Sequence, residues 1–274
     1  MKITEVPARS YIAKSKLGDL CINPYAGCGH GCLYCYAYYM AKWTGHEEEP
    51  WGSFVDVRWT DRPIDLEKIK GRDIIIGTVT DPYQPVEERY RVTRYILEQL
   101  INSECSITVI TKGKLITRDI DLFKKISKTS DFMATLSING VDNKTWSSME
   151  NTSSIEDRVS ALKKLHQSGI KTGVFVAPII PGVSDWKKVI EDTREFTDWY
   201  QFETLSLGGN ADHKRNFLRW VLFNRKELWD KYHDVYVNGN VQWIKDIESE
   251  VKKYCQDHGI DGGFGGLAPH HLTF

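Results

Sequence analysis

Three of the chain's six cysteines, Cys28, Cys32 and Cys35, fall within eight positions of the stretch NPYAGCGHGCLYCYAYY (23–39). Three thiols cannot pair off as disulfides without one left over. They can hold a zinc ion, hold an iron–sulfur cluster, or lie together by chance. Zinc takes four ligands, commonly from two Cys-x2-Cys-like knuckles or a Cys/His mix. Only one knuckle is present, Cys21, Cys105 and Cys255 are isolated, and His30 reaches a fourth position only through a cramped loop. Three thiolates do suit a [4Fe–4S] cube, whose usual ligands they are, with one iron left open. Gly27, Gly29 and Gly31 supply the permissive backbone that a small, sharply turned loop needs.

The elements that must position this loop are legible as alternation. LCINPY (20–25), DIIIGTV (73–79), SITVIT (106–111), FMATLSI (132–138), KTGVFVAP (171–178) and FETLSL (202–207) are short apolar runs rich in β-branched residues and predict buried strands. Between them, residues 86–101, 118–127, 154–169 and 185–200 carry apolar residues at helical spacing. Ser154 and Asp157 form a capping-box pattern with a shortened acid, and Gly169 stands where a helix would stop. Strands alternating with helices imply a parallel sheet with right-handed crossovers, hence an α/β fold. Ligand chemistry in such folds sits at the carboxyl ends of the strands, and the cysteine loop follows the first strand.

The chain has 274 residues and no repeat or linker, which predicts one domain over 1–274, with a core of about 18–210 and a C-terminal extension over 211–274. No apolar run approaches the ~20 residues that cross a bilayer. The opening MKITEVPARSYIAKSK has no apolar stretch after its charges, which predicts a cytoplasmic location, without membrane contact, where structural disulfides are rare. A net charge of −1 gives no global pull toward polyanions. HKRNFLRW (213–220) is the one local basic cluster of note, and its plain reading is a solvated helix face. The segment 42–60, with its aromatics and three successive acids, reads as a packed loop or a lid; the tail 262–274, ending in His270, His271 and Phe274, reads as a frayed terminus or a cover for the barrel mouth.

The cysteine stretch resembles the radical S-adenosylmethionine (radical SAM) superfamily, whose signature has this spacing with an aromatic before the last cysteine, here Tyr34. The wider context is similar to the spore photoproduct lyase-like branch, through NPYAGCGHGCLYCYA (23–37), GTVTDPYQPVEERYRVTR (77–94), ITKG (110–113), SING (137–140) and VFVAPIIPGVSD (174–185). The resemblance spans about residues 20 to 185. It implies a partial (β/α)6 TIM-type barrel followed by a C-terminal helical extension. It also implies that Cys28, Cys32 and Cys35 hold a [4Fe–4S] cluster and that S-adenosylmethionine binds its open iron. Tyr34 would lie beside the adenine, Thr80 and Asp81 would meet the methionine amino group, and Lys112 would pair with the carboxylate. Ser137 and Asn139 would bond methionine or ribose oxygens, Arg158, at the head of a helix where related sequences place an acid and an arginine, would be a further cofactor-binding residue, and residues 177–182 would line the adenine. Plainer readings stand beside these: Asp81-Pro82 and Asn139-Gly140 also make turns, and Lys112 and Arg158 also suit the surface.

Tyr34 and Tyr36 match the Tyr-Cys-Tyr that relays a hydrogen atom in the lyases, and this gives them a catalytic expectation. Thr78 stands about where the lyases carry a hydrogen-donating cysteine, and a hydroxyl is a poorer donor than a thiol. The chain therefore reads as a relative of the lyases rather than as one of them. The resemblance further implies a ferredoxin or flavodoxin-type reductant. The substrate reads as a nucleic acid or nucleotide, with peptide or protein modification as the rival and a non-catalytic zinc-binding interaction module as the alternative of another class.

Overall fold

The computed structural model describes residues 1–15, 17–208 and 211–264. Among the described residues, eleven strands form two sheets. The small sheet joins β1 (Lys2–Pro7), β4 (Tyr25–Gly27) and β5 (Phe54–Trp59) in the order β1-β5-β4. The large sheet joins β2 (Ile12–Lys14), β3 (Leu20–Ile22), β6 (Asp73–Ile76), β7 (Ser106–Thr111), β8 (Asp131–Ser137), β9 (Lys171–Ile179), β10 (Trp199–Thr204) and β11 (Gly262–Phe264). Its order is β11-β10-β9-β8-β7-β6-β3-β2.

The six strands predicted from sequence are the consecutive parallel strands β3, β6, β7, β8, β9 and β10. Their neighbours pair in register, Cys21 with Ile75 and Ile75 with Thr108, so one residue set faces one side. Ile74, Ile76, Val109, Leu136 and Val174 are buried in the apolar core that the helices complete. Cys21, Thr135 and Gln201 alternate with the core positions and face the other way. The sheet ends at β2 and β11, which do not pair with each other. The fold is α/β, and this open sheet is the partial barrel expected.

Several boundaries differ from the sequence reading. The first strand stops at Ile22, because Pro24 offers no N–H to a ladder, and Tyr25–Gly27 turns away to join the small sheet. The helix expected over 86–101 is two, Val86–Tyr90 and Val92–Gln99, broken where Arg91 adopts φ 54°. The helix expected over 185–200 ends earlier, as Trp186–Thr193 with one further turn to Phe196, and β10 begins at Trp199. The segment 42–60 is not all loop: β5 is the middle strand of the small sheet. Helix Ile155–Gln167 starts as predicted, with Ser154 Oγ accepting from Asp157 N at 3.1 Å.

The C-terminal extension is helical, Ala211–Asn224, Trp229–Tyr236 and Gln242–His258, and it returns as strand β11. It is tied to the barrel by Tyr232 Oη donating to Pro181 O (2.8 Å) and Tyr236 Oη donating to Leu205 O (2.9 Å). Of the tail, 262–264 is this edge strand, while His270, His271 and Phe274 lie outside the described residues. Among the described residues no helix is long and apolar enough to cross a membrane.

Candidate active site

The small sheet delivers the cysteine loop. β4 ends at Gly27, one residue before Cys28, with φ +78°, and a Cβ there would stand 2.5 Å from Phe54 O. Only glycine lets β4 lie this close to β5 and then turn. Two tight turns follow, Gly31 N to Cys28 O (3.2 Å) and Cys35 N to Cys32 O (3.1 Å), one between each pair of cysteines. The loop is strapped from two sides. Gln84 Oε1 accepts from Gly29 N (2.8 Å), and Thr80 Oγ1 donates to Gly27 O (2.6 Å). On the opposite flank Leu33 N donates to Met149 O (2.7 Å) and Asn151 N to His30 O (2.8 Å). Cys28 and Cys32 are buried and Cys35 is half-buried.

Charge around the loop is arranged in buried pairs. His30 Nδ1 lies 3.3 Å from Asp81 Oδ2. Burial alone would push the His30 imidazole down, but Cys28 and the Asp81 carboxylate outweigh it and lift it to about 10. Burial likewise pushes the Asp81 carboxyl up, and the His30 charge and hydrogen bonds overcome this and hold it at about 2. Glu150 pairs with Arg158, both side chains 1% exposed, and its Oε2 accepts from Cys32 Sγ at 3.9 Å. Burial, then Glu150, pushes the Cys32 thiol up, while Lys112 opposes them; burial and Cys28 push Cys35 up to about 12. Such thiols ionise only where a cation compensates them, as a metal does.

The residues singled out from the sequence fall into three groups. Thr80 and Asp81 hold the loop. Thr80 is engaged by Gly27 and by Gln84 Nε2 (3.0 Å), and the Asp81 carboxylate accepts from Tyr83 N, Thr111 Oγ1 and Lys112 N besides facing His30. Arg158 is not a surface charge: its guanidinium donates to Glu150, Thr152, Ser153 O (2.9 Å) and Ser137 O (3.2 Å). Its pairing with Glu150 explains how Ser137, at the end of β8, is anchored beside the 149–151 strap. A third group keeps polar atoms unspent. The Lys112 ammonium, half-buried at the end of β7, lies 5.7 Å from the Tyr34 ring centre and pairs with no carboxylate among the described residues. Asn139 Nδ2 donates to Ala177 O, within the 177–182 segment, while its Oδ1 is buried and unpartnered among the described residues. Tyr34, packed edge-on against Trp146, has a buried hydroxyl without a partner among the described residues, as does Thr135.

Tyr36 is half-buried and its hydroxyl donates to Thr78 O. Burial, with Cys35 and Glu203 nearby, pushes its phenol well up. Asn23 Nδ2 donates to Thr78 Oγ1 (2.9 Å) and to Cys21 Sγ (3.8 Å), so one carboxamide links the threonine to a thiol on β3. Asn23 and His30 lie within the quoted 23–37 motif and Gln84 within 77–94, but sequence reading singled out only His30 among them, as a possible zinc ligand; Glu150 lies outside every quoted motif. Glu87, also within 77–94, is fully buried and holds Tyr25 and Arg118 together under the loop. In the basic cluster 213–220, His213, Phe217 and Trp220 are buried, and His213 stacks on Tyr38 at 5.2 Å; Arg215 and Arg219 are exposed.

These residues fit the implied groups. The three thiols of one loop do not already form a metal-holding group among the described residues, but burial and their mutual repulsion disfavour their charge unless a metal is bound; the Lys112 ammonium and the unsatisfied oxygens of Tyr34, Thr135 and Asn139 remain as polar atoms for a ligand.

Comparison with known proteins agrees. The radical SAM superfamily model matches residues 22–197. An uncharacterized protein of Methanocaldococcus jannaschii is 34% identical over 261 residues, covering 92% of each chain. A radical SAM Nα-GlyT isomerase of Pseudomonas phage M6 is 26% identical over 166 residues, 59% of this chain and 33% of its own. Among solved structures, a spore photoproduct lyase variant with dinucleoside spore photoproduct superposes with a TM-score of 0.59 at 17% identity, over 79% of this chain and 65% of the lyase. At that identity the likeness is one of fold. The family match covers well over half of the chain and includes the three cysteines: the chain belongs to the radical SAM superfamily and is an enzyme of that superfamily.

Proposed function

We propose that this enzyme holds a [4Fe–4S] cluster on Cys28, Cys32 and Cys35, binds S-adenosylmethionine beside it, and abstracts a hydrogen atom from a nucleic acid or nucleotide. The observation that carries the reading is one strapped loop that brings three thiols into the low-dielectric interior within each other's electrostatic reach, with Lys112, which pairs with no carboxylate among the described residues, near Tyr34. When bound, the cluster supplies the electron, drawn from a ferredoxin or flavodoxin-type donor, that splits S-adenosylmethionine into methionine and a 5′-deoxyadenosyl radical. The chain's residues bind, orient and exclude water. Lys112 pairs with the methionine carboxylate. Ser137 and the Asn139 carboxamide oxygen bond methionine or ribose, and Tyr34 flanks the adenine. Thr80 and Asp81 act mainly through the loop, since the Asp81 carboxylate already takes three hydrogen bonds and faces His30. Tyr36 and Tyr34 stand as hydrogen relays, with Tyr36 anchored on Thr78 O.

The nucleic-acid reading draws support from the lyase complex, whose name places a dinucleoside on that protein. It also draws on a groove of about 420 Å³ on the outer side of helix Ala211–Asn224, where Lys214, Arg215 and Arg219 adjoin Phe223, which is 78% exposed. Peptide modification is the second reading, favoured by a net charge of −1 that offers a polyanion no general attraction. Oligonucleotide binding across ionic strength, read alongside 5′-deoxyadenosine release under dithionite, separates them. A falling log–log salt dependence and release stimulated by oligonucleotide support the first. Binding that stays flat with salt, with stimulation by peptide alone, discards it.

A further inference from the structure

The segment 42–60 belongs to the cluster site. Gly52 has φ +90°, and a Cβ on it would stand 2.6 Å from Gly31 Cα, so this segment touches the cysteine loop backbone to backbone. That contact carries Trp51 inward. Its side chain is 8% exposed and packs with Cys28, Ala37 and Phe54, and Cys35 packs against the same group. The indole N–H is buried and has no acceptor in hydrogen-bond geometry among the described residues. An indole donates and cannot accept, so this group calls for an electron-rich partner. Cys35 is one of the two thiols that pack with this group, and its sulfur is a soft acceptor for such a donor.

Resting on the assignment of Cys28, Cys32 and Cys35 as cluster ligands, we propose that Trp51 is a positioning residue for the cluster: its indole N–H donates to the Cys35 sulfur once that sulfur is an iron-bound thiolate, and this raises the reduction potential. The added electron increases negative charge on the cluster and its sulfurs, so an N–H aimed at one of them stabilises the reduced state more than the oxidised one. The apolar faces of Trp51 and Phe54 meanwhile wall that side of the loop from water.

The test is the midpoint potential of the anaerobically reconstituted enzyme, followed by electron paramagnetic resonance during redox titration. Trp51→Phe keeps an aromatic ring and removes the N–H; its midpoint shifts to more negative values. Trp51→His restores a ring donor and moves the midpoint back toward the parent. Tyr38→Phe, which alters a neighbour of the indole (centroids 5.9 Å apart) without touching the donor, leaves it in place. An unchanged midpoint in Trp51→Phe with the cluster intact overturns the proposal. Should that variant hold no cluster, the parent protein labelled with indole-15N tryptophan decides: a weak 15N coupling to the reduced cluster upholds the contact, and its absence overturns it. A parent protein that binds no cluster refutes the underlying assignment, whereas a parent cluster with an indifferent Trp51 refutes this inference alone.

Discussion

Arg158→Met is the most demanding single perturbation of the cysteine loop's support. Arg158 and Glu150 are each 1% exposed, and the guanidinium also satisfies Thr152, Ser153 O and Ser137 O. Methionine fills much of the volume but leaves Glu150 as a buried carboxylate facing Cys32 without its cation. Removing one partner of such a pair costs about 3–5 kcal/mol. For a chain of this size, about 2 °C of melting temperature is lost per kcal/mol, so a fall of roughly 6–10 °C is expected. Because Met149 and Asn151 strap the loop from either side of Glu150, iron retained per chain falls as well. The assay is calorimetry plus iron content for the parent, Arg158→Met, Glu150→Gln and the double variant. The double variant carries no unpaired charge and loses less than the sum of the singles, by at least about 1 kcal/mol. A melting shift under about 2 °C in Arg158→Met, or strictly additive losses, refutes the buried pair.

Three further outcomes follow from local geometry. Gly27→Ala introduces both a strained φ and a clash with Phe54 O, whereas Gly45→Ala, at φ +77° with open space around it, introduces strain alone; thermal melting shows Gly27→Ala the more damaging, and equal losses contradict the packing of β4 on β5. Lys112→Ala removes a charge-assisted contact worth about 1.5–3 kcal/mol, so S-adenosylmethionine binds roughly 10–100-fold more weakly in equilibrium binding, and unchanged affinity removes Lys112 from the site. His46 lies between Glu49 (2.9 Å) and Asp56 (3.0 Å); burial pushes its imidazole down, but the two carboxylates outweigh it and the net shift is upward. A raised folded pKa gives stability that is fully present below the ordinary imidazole value of about 6.5 and is lost as pH rises through the folded value. The parent therefore loses melting temperature on the alkaline side relative to His46→Gln, and parallel pH profiles for the two exclude the linkage.

The barrel was legible because its strands are runs such as DIIIG and SITVIT, buried through their alternating apolar positions against one layer of helices. The small sheet was not, because β1 is almost wholly exposed and pairs with a strand some fifty residues away, and nothing local marks either as belonging to the site. The break at Arg91 has no glycine or proline to announce it; Glu87, which accepts from Thr93 N (2.9 Å) and Arg94 N (3.3 Å), holds the backbone there. Among site residues, cysteine spacing carries its own chemistry. Arg158 does not: an arginine on the first turns of a helix looks exposed until Glu150, in the preceding loop, is brought beneath it. Asp81 likewise looks available for a ligand until the amides of Tyr83 and Lys112 close on it. Trp51 was hidden in a segment that reads as loop.

Anaerobic reconstitution with iron and sulfide, followed by metal analysis and electron paramagnetic resonance with and without S-adenosylmethionine, bears most directly on the central claim. The account predicts about four irons and four sulfides per chain, lost when Cys28, Cys32 and Cys35 are replaced by alanine, and a reduced-cluster spectrum that changes when S-adenosylmethionine is added. A single zinc in the active protein, or a cluster whose spectrum is indifferent to S-adenosylmethionine, contradicts it.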